Sequence, residues 1–227
     1  MSHLLARYAA QGPFMQQQPT VVAVSGRLSC IHKALATNRV WLDYDGLRGD
    51  SVVDRRHHGG PDRALCHYPA QHYEKWRAQY KTLDIPMIPG AFGENIATEN
   101  LSESEVCVGD QFRWGEAEIE VSQPRSPCTT LDAWHDLPKL ADSLAKTGCT
   151  GWLYRTLKPG WIYPNAPLEC IAISHARISV LRVWQARAAN DAPDEELQLM
   201  AEFPALAPHY RDRFAQRLAY RQQAQHD

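Results

Sequence analysis

The run Arg55-Arg56-His57-His58-Gly59-Gly60-Pro61-Asp62-Arg63 gathers an unusual density of groups able to do chemistry. Adjacent glycines let the backbone turn sharply and bring N–H groups close to an anion, because no Cβ blocks the approach. Arg56, Arg63 and the two histidines would surround that anion with donors, and a guanidinium meets phosphate through two hydrogen bonds at once. A surface turn whose charges are merely solvated accounts for the same composition equally well. Zinc held by His57 and His58 is the weaker idea: adjacent side chains on a strand diverge, and no cysteine motif completes the set.

A second segment, Val121-Ser122-Gln123-Pro124-Arg125-Ser126-Pro127-Cys128, leaves a strand-like run and is stiffened by two prolines. Arg125, three residues before Cys128, would lower the thiol pKa, and a thiolate is what a soft metal selects. The bland alternative is that Cys128 is a small buried hydrophobe, as most cysteines are. Of the other five, Cys30, Cys107 and Cys170 sit in apolar runs and are expected in the core. Cys66 and Cys149, beside glycines or the glycine-rich turn, are secondary candidates for redox chemistry. Asn95, in Ala91-Phe92-Gly93-Glu94-Asn95, offers an amide after a glycine turn, and Lys33 offers a point charge. Gly151-Trp152-Leu153-Tyr154 could wall a pocket or simply fill the core.

Short strands must position these groups. Val21–Val24 and Val40–Tyr44 read as strands, the second ending at an Asp45-Gly46 turn. Phe112 and Trp114, then Ala117, Ile119 and Val121, alternate with polar residues on either side of Gly115, which predicts a hairpin with one wet face. Leu168–Ile173 reads as a strand buried on both faces. One helix is expected after Pro69, with Tyr73, Trp76 and Tyr80 on its inner stripe. Another is expected after an Asp136 cap, carrying Leu137, Leu140 and Leu144 and stopping at Gly148. Many short strands and few helices predict a mostly β, barrel- or sandwich-like domain over residues 21–175, with residues 1–20 as a polar lead-in.

Residues 176–227 read as a three-helix module, with apolar stripes at Val180/Val183/Trp184, Leu197/Met200 and Tyr210/Phe214/Leu218. Four arginines on the third helix suggest DNA binding, yet the module's seven arginines face seven acids. A packing or homodimer-forming role is therefore preferred to nucleic acid. The whole chain agrees, with 24 Lys and Arg against 26 Asp and Glu and a net charge of -2. That balance points to a pocket ligand and away from a charged surface partner. No secretory signal, no run of about 18 apolar residues and no C-x-x-C spacing are present, so a cytoplasmic protein with reduced thiols and no membrane partner is expected.

Together, HHGGPDRALCHY (His57–Tyr68), AFGEN (Ala91–Asn95), GDQFRWGEAEIEVSQPRSPC (Gly109–Cys128) and GWLY (Gly151–Tyr154) resemble MOSC-domain proteins of the YiiM type. The tail resembles the helical module of that subfamily less specifically. The resemblance implies a MOSC β-barrel-like fold and a molybdenum cofactor (molybdopterin) with Cys128 bound to the metal. It also implies Lys33, His58, Gly59, Gly60, Asp62, Arg63, Asn95 and Arg125 along the cofactor. The implied activity is detoxifying reduction of N-hydroxylated substrates, hydroxylaminopurine-type bases above all, to amines. His57 or His58 would relay protons. Electrons would come from a separate, flavin-containing reductase, because the chain has neither a Rossmann glycine pattern nor Fe–S spacing. Ala34-Leu35 departs from the family where a small polar residue is expected after the lysine, a contact that Thr37 could supply. A non-catalytic carrier of the cofactor, or of persulfide sulfur on Cys128, would use the same residues.

Overall fold

The computed structural model describes residues 6–23, 25–80 and 86–224. Its strands, in chain order, are β1 (Arg7–Tyr8), β2 (Ala10–Gln11), β3 (Phe14–Met15), β4 (Thr20–Val21), β5 (Leu28–Ser29), β6 (Ala34–Leu35), β7 (Val40–Asp43), β8 (Gly46–Leu47), β9 (Leu65–Pro69), β10 (Ile96–Thr98), β11 (Gln111–Trp114), β12 (Ala117–Pro124), β13 (Trp152–Lys158), β14 (Gly160–Ile162) and β15 (Leu168–Ala172). Eight of them form one sheet in the order β1-β15-β11-β12-β13-β9-β10-β2. Its two edge strands, β1 and β2, are separated in the chain by Ala9 alone. One intervening residue spans about 7 Å, so the edges must meet and the sheet curls into a nearly closed barrel.

The alternation around Gly115 builds the β11–β12 hairpin, with Trp114 facing Ala117 across it. Phe112, Trp114, Ile119 and Val121 turn inward and are buried, while Glu118 and Glu120 stay half-exposed. The mostly β barrel therefore stands as expected. Residues 7–15, expected within a polar lead-in, instead supply both barrel edges and β3. Val21–Val24 is not one strand: Thr20–Val21 pairs with Leu28–Ser29 in a hairpin, and Val24 lies outside the described residues.

The helices are α1 (Arg55–His58), α2 (His72–Gln79), α3 (Thr130–His135), α4 (Leu140–Thr147), α5 (Val180–Ala188), α6 (Asp194–Glu202) and α7 (Pro208–Ala224), with a 3-10 turn at Pro61–Arg63. Pro69 ends β9 and does not open α2. Asp136 closes α3 in the left-handed conformation, and the acid that holds the first turn of α4 is Asp132, whose Oδ1 accepts from Ala141 N at 2.7 Å. The α2, α3 and α4 helices enclose a second apolar cluster around Tyr68, Tyr73, Trp76 and Phe92. The last three helices match the expected module. Val183, Leu197, Met200, Tyr210, Phe214 and Leu218 share one core with the barrel strands. No helix among the described residues is long and apolar enough to cross a membrane.

Candidate active site at the end of β12

Cys128 lies just past the end of β12, where the chain leaves the barrel. Its approach is held by Arg125 N donating to Gly151 O at 3.0 Å and by Tyr210 OH donating to Pro124 O at 3.3 Å. Beyond it, Leu131 N donates to Cys128 O at 3.0 Å as α3 begins. The side chain is half-exposed and lines a cleft of about 1200 Å³ between the barrel mouth and α7. Burial by itself raises the thiol pKa. Hydrogen bonds from His58 and Thr130, with the Arg125 guanidinium nearby, outweigh it and bring the group down to about 6. Cys30 and Cys66 line the same cleft, yet burial pushes both of their thiols up. Only Cys128 of the three is poised as a thiolate at neutral pH.

His58 reaches Cys128 from α1, a single turn capped by Asp54, whose Oδ1 accepts from His57 N at 3.1 Å. His57 Nδ1 lies 2.7 Å from Asp54 Oδ2, and these His57 bonds hold the Asp54 carboxyl below its ordinary pKa. Gly59 turns to an extended conformation that ends the helix, at a place where a Cβ would stand 2.8 Å from Arg55 O. Its N–H donates to Arg55 O and so closes the helix.

The proposed anion donors fall into distinct groups. Lys33 is buried and ion-paired with Asp50 Oδ2. Asn95 accepts from Cys66 N at 3.0 Å and donates to Asp50 Oδ2 at 2.8 Å and Phe14 O at 3.0 Å, so its amide braces the cleft wall. Arg63 lines the cleft with Nη2 3.3 Å from His209 Nε2. Arg125 donates through Nη2 to Phe92 O, whereas its Nη1 is buried without a partner, as is Gln123 Oε1 in the same lining. A buried donor and a buried acceptor left without partners in one cleft lining are each costly unless a ligand meets them.

Other expected residues lie elsewhere. Asp62 accepts from Arg155 Nε at 2.7 Å and is absent from the cleft lining, as is Gly60. Thr37 borders a different, smaller cavity near Trp41 and Trp161, while Ala34 and Leu35 form β6 against β3. Trp152 and Tyr154 are fully buried core, and only Leu153 of that segment reaches the cleft. Cys107 and Cys170 are buried as expected, but Cys30 is not core. The largest omission is the α7 wall, where His209, Tyr210, Arg213 and Gln216 line the cleft together with Arg187 of α5. The arginine cluster on the third helix carried that signal. Of its other members, Arg217 donates to Ala186 O at 2.9 Å and to Ala189 O, Arg221 pairs with Asp194 at 2.9 Å, and Arg211 buries its Nε without a partner.

Residues 54–169 match the MOSC domain model, and residues 178–221 match the YiiM-like, 3-alpha helix domain. The chain is 44% identical to Protein YiiM of Escherichia coli over 163 residues, which cover 72% of this chain and 71% of that protein. The crystal structure of YiiM from Escherichia coli superposes with a TM-score of 0.76 and 31% identity, covering 95% of this chain and 94% of that one. A Gibberella moniliformis protein named a reductase is 33% identical over 182 residues, which are 79% of this chain and 32% of that longer protein. MOSC domains are generally associated with binding of the molybdenum cofactor. The half-exposed thiolate at the end of β12 and the helical wall opposite thus lie within the two matched regions, and the chain belongs to the MOSC-domain family with a YiiM-like three-helix domain at its C-terminal side.

Proposed function

We propose that the protein is a molybdenum-cofactor-dependent reductase that converts N-hydroxylated compounds, hydroxylaminopurine-type bases foremost, to their amines and thereby detoxifies them. The observation that carries this reading is the Cys128 thiolate in a cleft that also holds Arg125 Nη1 and Gln123 Oε1 buried and unpartnered. Those features fit the cofactor: a soft sulfur for the metal, a free donor for an anionic or carbonyl oxygen, and an acceptor for a heterocycle N–H.

Bound there, the cofactor would supply two-electron oxygen-atom chemistry, which cleavage of an N–O bond requires. The protein's own residues bind and orient. Arg63 and Arg125 would supply positive charge for the terminal phosphate, while Lys33, in the same lining, is already paired with Asp50, whose carboxylate Asn95 also holds. His58, hydrogen-bonded to Cys128, stands where it can hold a proton for the departing oxygen, and His57 lies next to it at the cleft mouth. Balance requires two electrons and two protons per N–OH, giving amine and water. A separate flavin-containing reductase is the proposed electron source.

The test is molybdenum content of anaerobically purified wild type beside Cys128→Ser, with N-hydroxy reduction driven by a chemical donor. Wild type is expected to carry molybdenum and turn over, and Cys128→Ser to lose both. Equal molybdenum in the two would remove the proposed ligand. Loaded wild type without turnover would mark a cofactor carrier, and persulfide on metal-free Cys128 a sulfur carrier.

A further inference from the structure

A second thiol lies outside this cleft in a setting of its own. Cys149 follows Gly148 at the end of α4 and is half-exposed. Four titratable side chains face it. Lys75 Nζ, on the exposed face of α2, points at Cys149 Sγ from 3.7 Å. His72, one turn earlier on α2, hydrogen-bonds to the same thiol. His72 Nε2 is fixed at 2.8 Å from Glu103 Oε2, and Glu103 Oε1 is anchored by Gly151 N at 2.8 Å. Tyr68, on β9, donates its hydroxyl to Cys149 O at 3.3 Å. A cysteine, a histidine and a carboxylate that orients the histidine form the constellation that activates a nucleophile.

We propose that Cys149 is a reactive thiolate site that takes small disulfides, forming a mixed disulfide with low-molecular-weight thiols. The sulfur attacks one sulfur of the small disulfide, the new S–S bond forms as the old one breaks, and the displaced thiolate leaves and is protonated by solvent. Cys149 passes from thiolate to disulfide sulfur as the leaving sulfur passes from disulfide sulfur to thiolate, so no outside oxidant is needed. A position after the C-terminal end of α4 disfavours an anion, so His72 and Lys75 must supply the stabilisation. Burial raises the Cys149 pKa, and the His72 bond and charge more than reverse it. Burial lowers the pKa of His72, and its bonds to Cys149 and Glu103 carry it up to about 9, as an imidazolium beside a thiolate requires. The site borders neither the large cleft nor the smaller cavity near Trp41, which suits an exchange site better than a substrate pocket.

The test is exposure of the reduced full-length protein to oxidised glutathione at pH 6 to 9, with peptide mapping by mass spectrometry. Cys149 should be modified at least about tenfold faster than buried Cys107 at neutral pH, with a half-maximal pH below the ordinary thiol value of about 8.5. His72→Gln should slow Cys149 about tenfold there, while Cys128 is unaffected. No modification of Cys149, or a half-maximal pH at or above the ordinary value, overturns the proposal using wild type alone. A folded His72→Gln that reacts like wild type does so as well.

Discussion

At Cys128 burial works against ionisation, and three local partners overcome it. Arg125 was legible in the sequence because it lies three positions away, but His58 comes from α1, seventy residues earlier, and no spacing rule reaches that far. Metal-free protein treated with iodoacetamide should alkylate Cys128 with a half-maximal pH near about 6. His58→Ala should move that midpoint upward, slowing the reaction severalfold at pH 6.5. A midpoint unchanged in the variant would show that the imidazole does not stabilise the thiolate. Asp62 shows the converse. It sits in the motif, but its carboxylate is drawn to Arg155 on β13, which also pairs with Glu120 at 2.6 Å. Position within a motif locates a residue, whereas the partner it finds across the sheet decides which way it faces.

Elements with enough length to show a period were readable, and those without were not. The β11–β12 hairpin and the three C-terminal stripes repeat often enough to be seen. Two-residue strands such as β1, β2 and β3 have no period, and α3 is a single short helix disguised by the Asp136 turn. The tail's packing role was legible in its apolar stripes, but its share in the cleft was not, because total charge does not say where each arginine points. Arg217 turns out to satisfy carbonyls at the end of α5, where a helix otherwise leaves acceptors unpaired. Arg217→Ala should cost about 2 kcal/mol in urea unfolding, the scale of a lost charged hydrogen bond. A change near zero would assign those carbonyls to water. Tyr210→Ala should cost about 3 kcal/mol and loosen the Pro124 exit, because that ring is buried between α7 and the strand end bearing the cleft thiol.

For the molecule as a whole, the barrel core contains one neutral histidine that couples folding to acid. His67 is fully buried between Tyr154 OH at 3.0 Å and Thr98 Oγ1 at 2.9 Å, and burial pushes its pKa down to about 3. In the unfolded chain the same ring titrates near about 6.5, so the unfolded state binds the proton first. Stability is then complete above about 6.5 and declines as pH falls toward the folded value. His67→Gln should flatten this acid limb in denaturation curves taken from pH 7 to 4; an unchanged slope would place the coupling elsewhere. The closing of the barrel carries a different consequence, one of timing. Arg7 and Tyr8 dock on Glu169 and Leu168, so the first tabs of the zip emerge from the ribosome some 160 residues before their slot. During that interval unpaired strand borders stay open to neighbouring nascent chains, and a version lacking residues 6–15 should keep them open permanently and elute as larger assemblies on size exclusion.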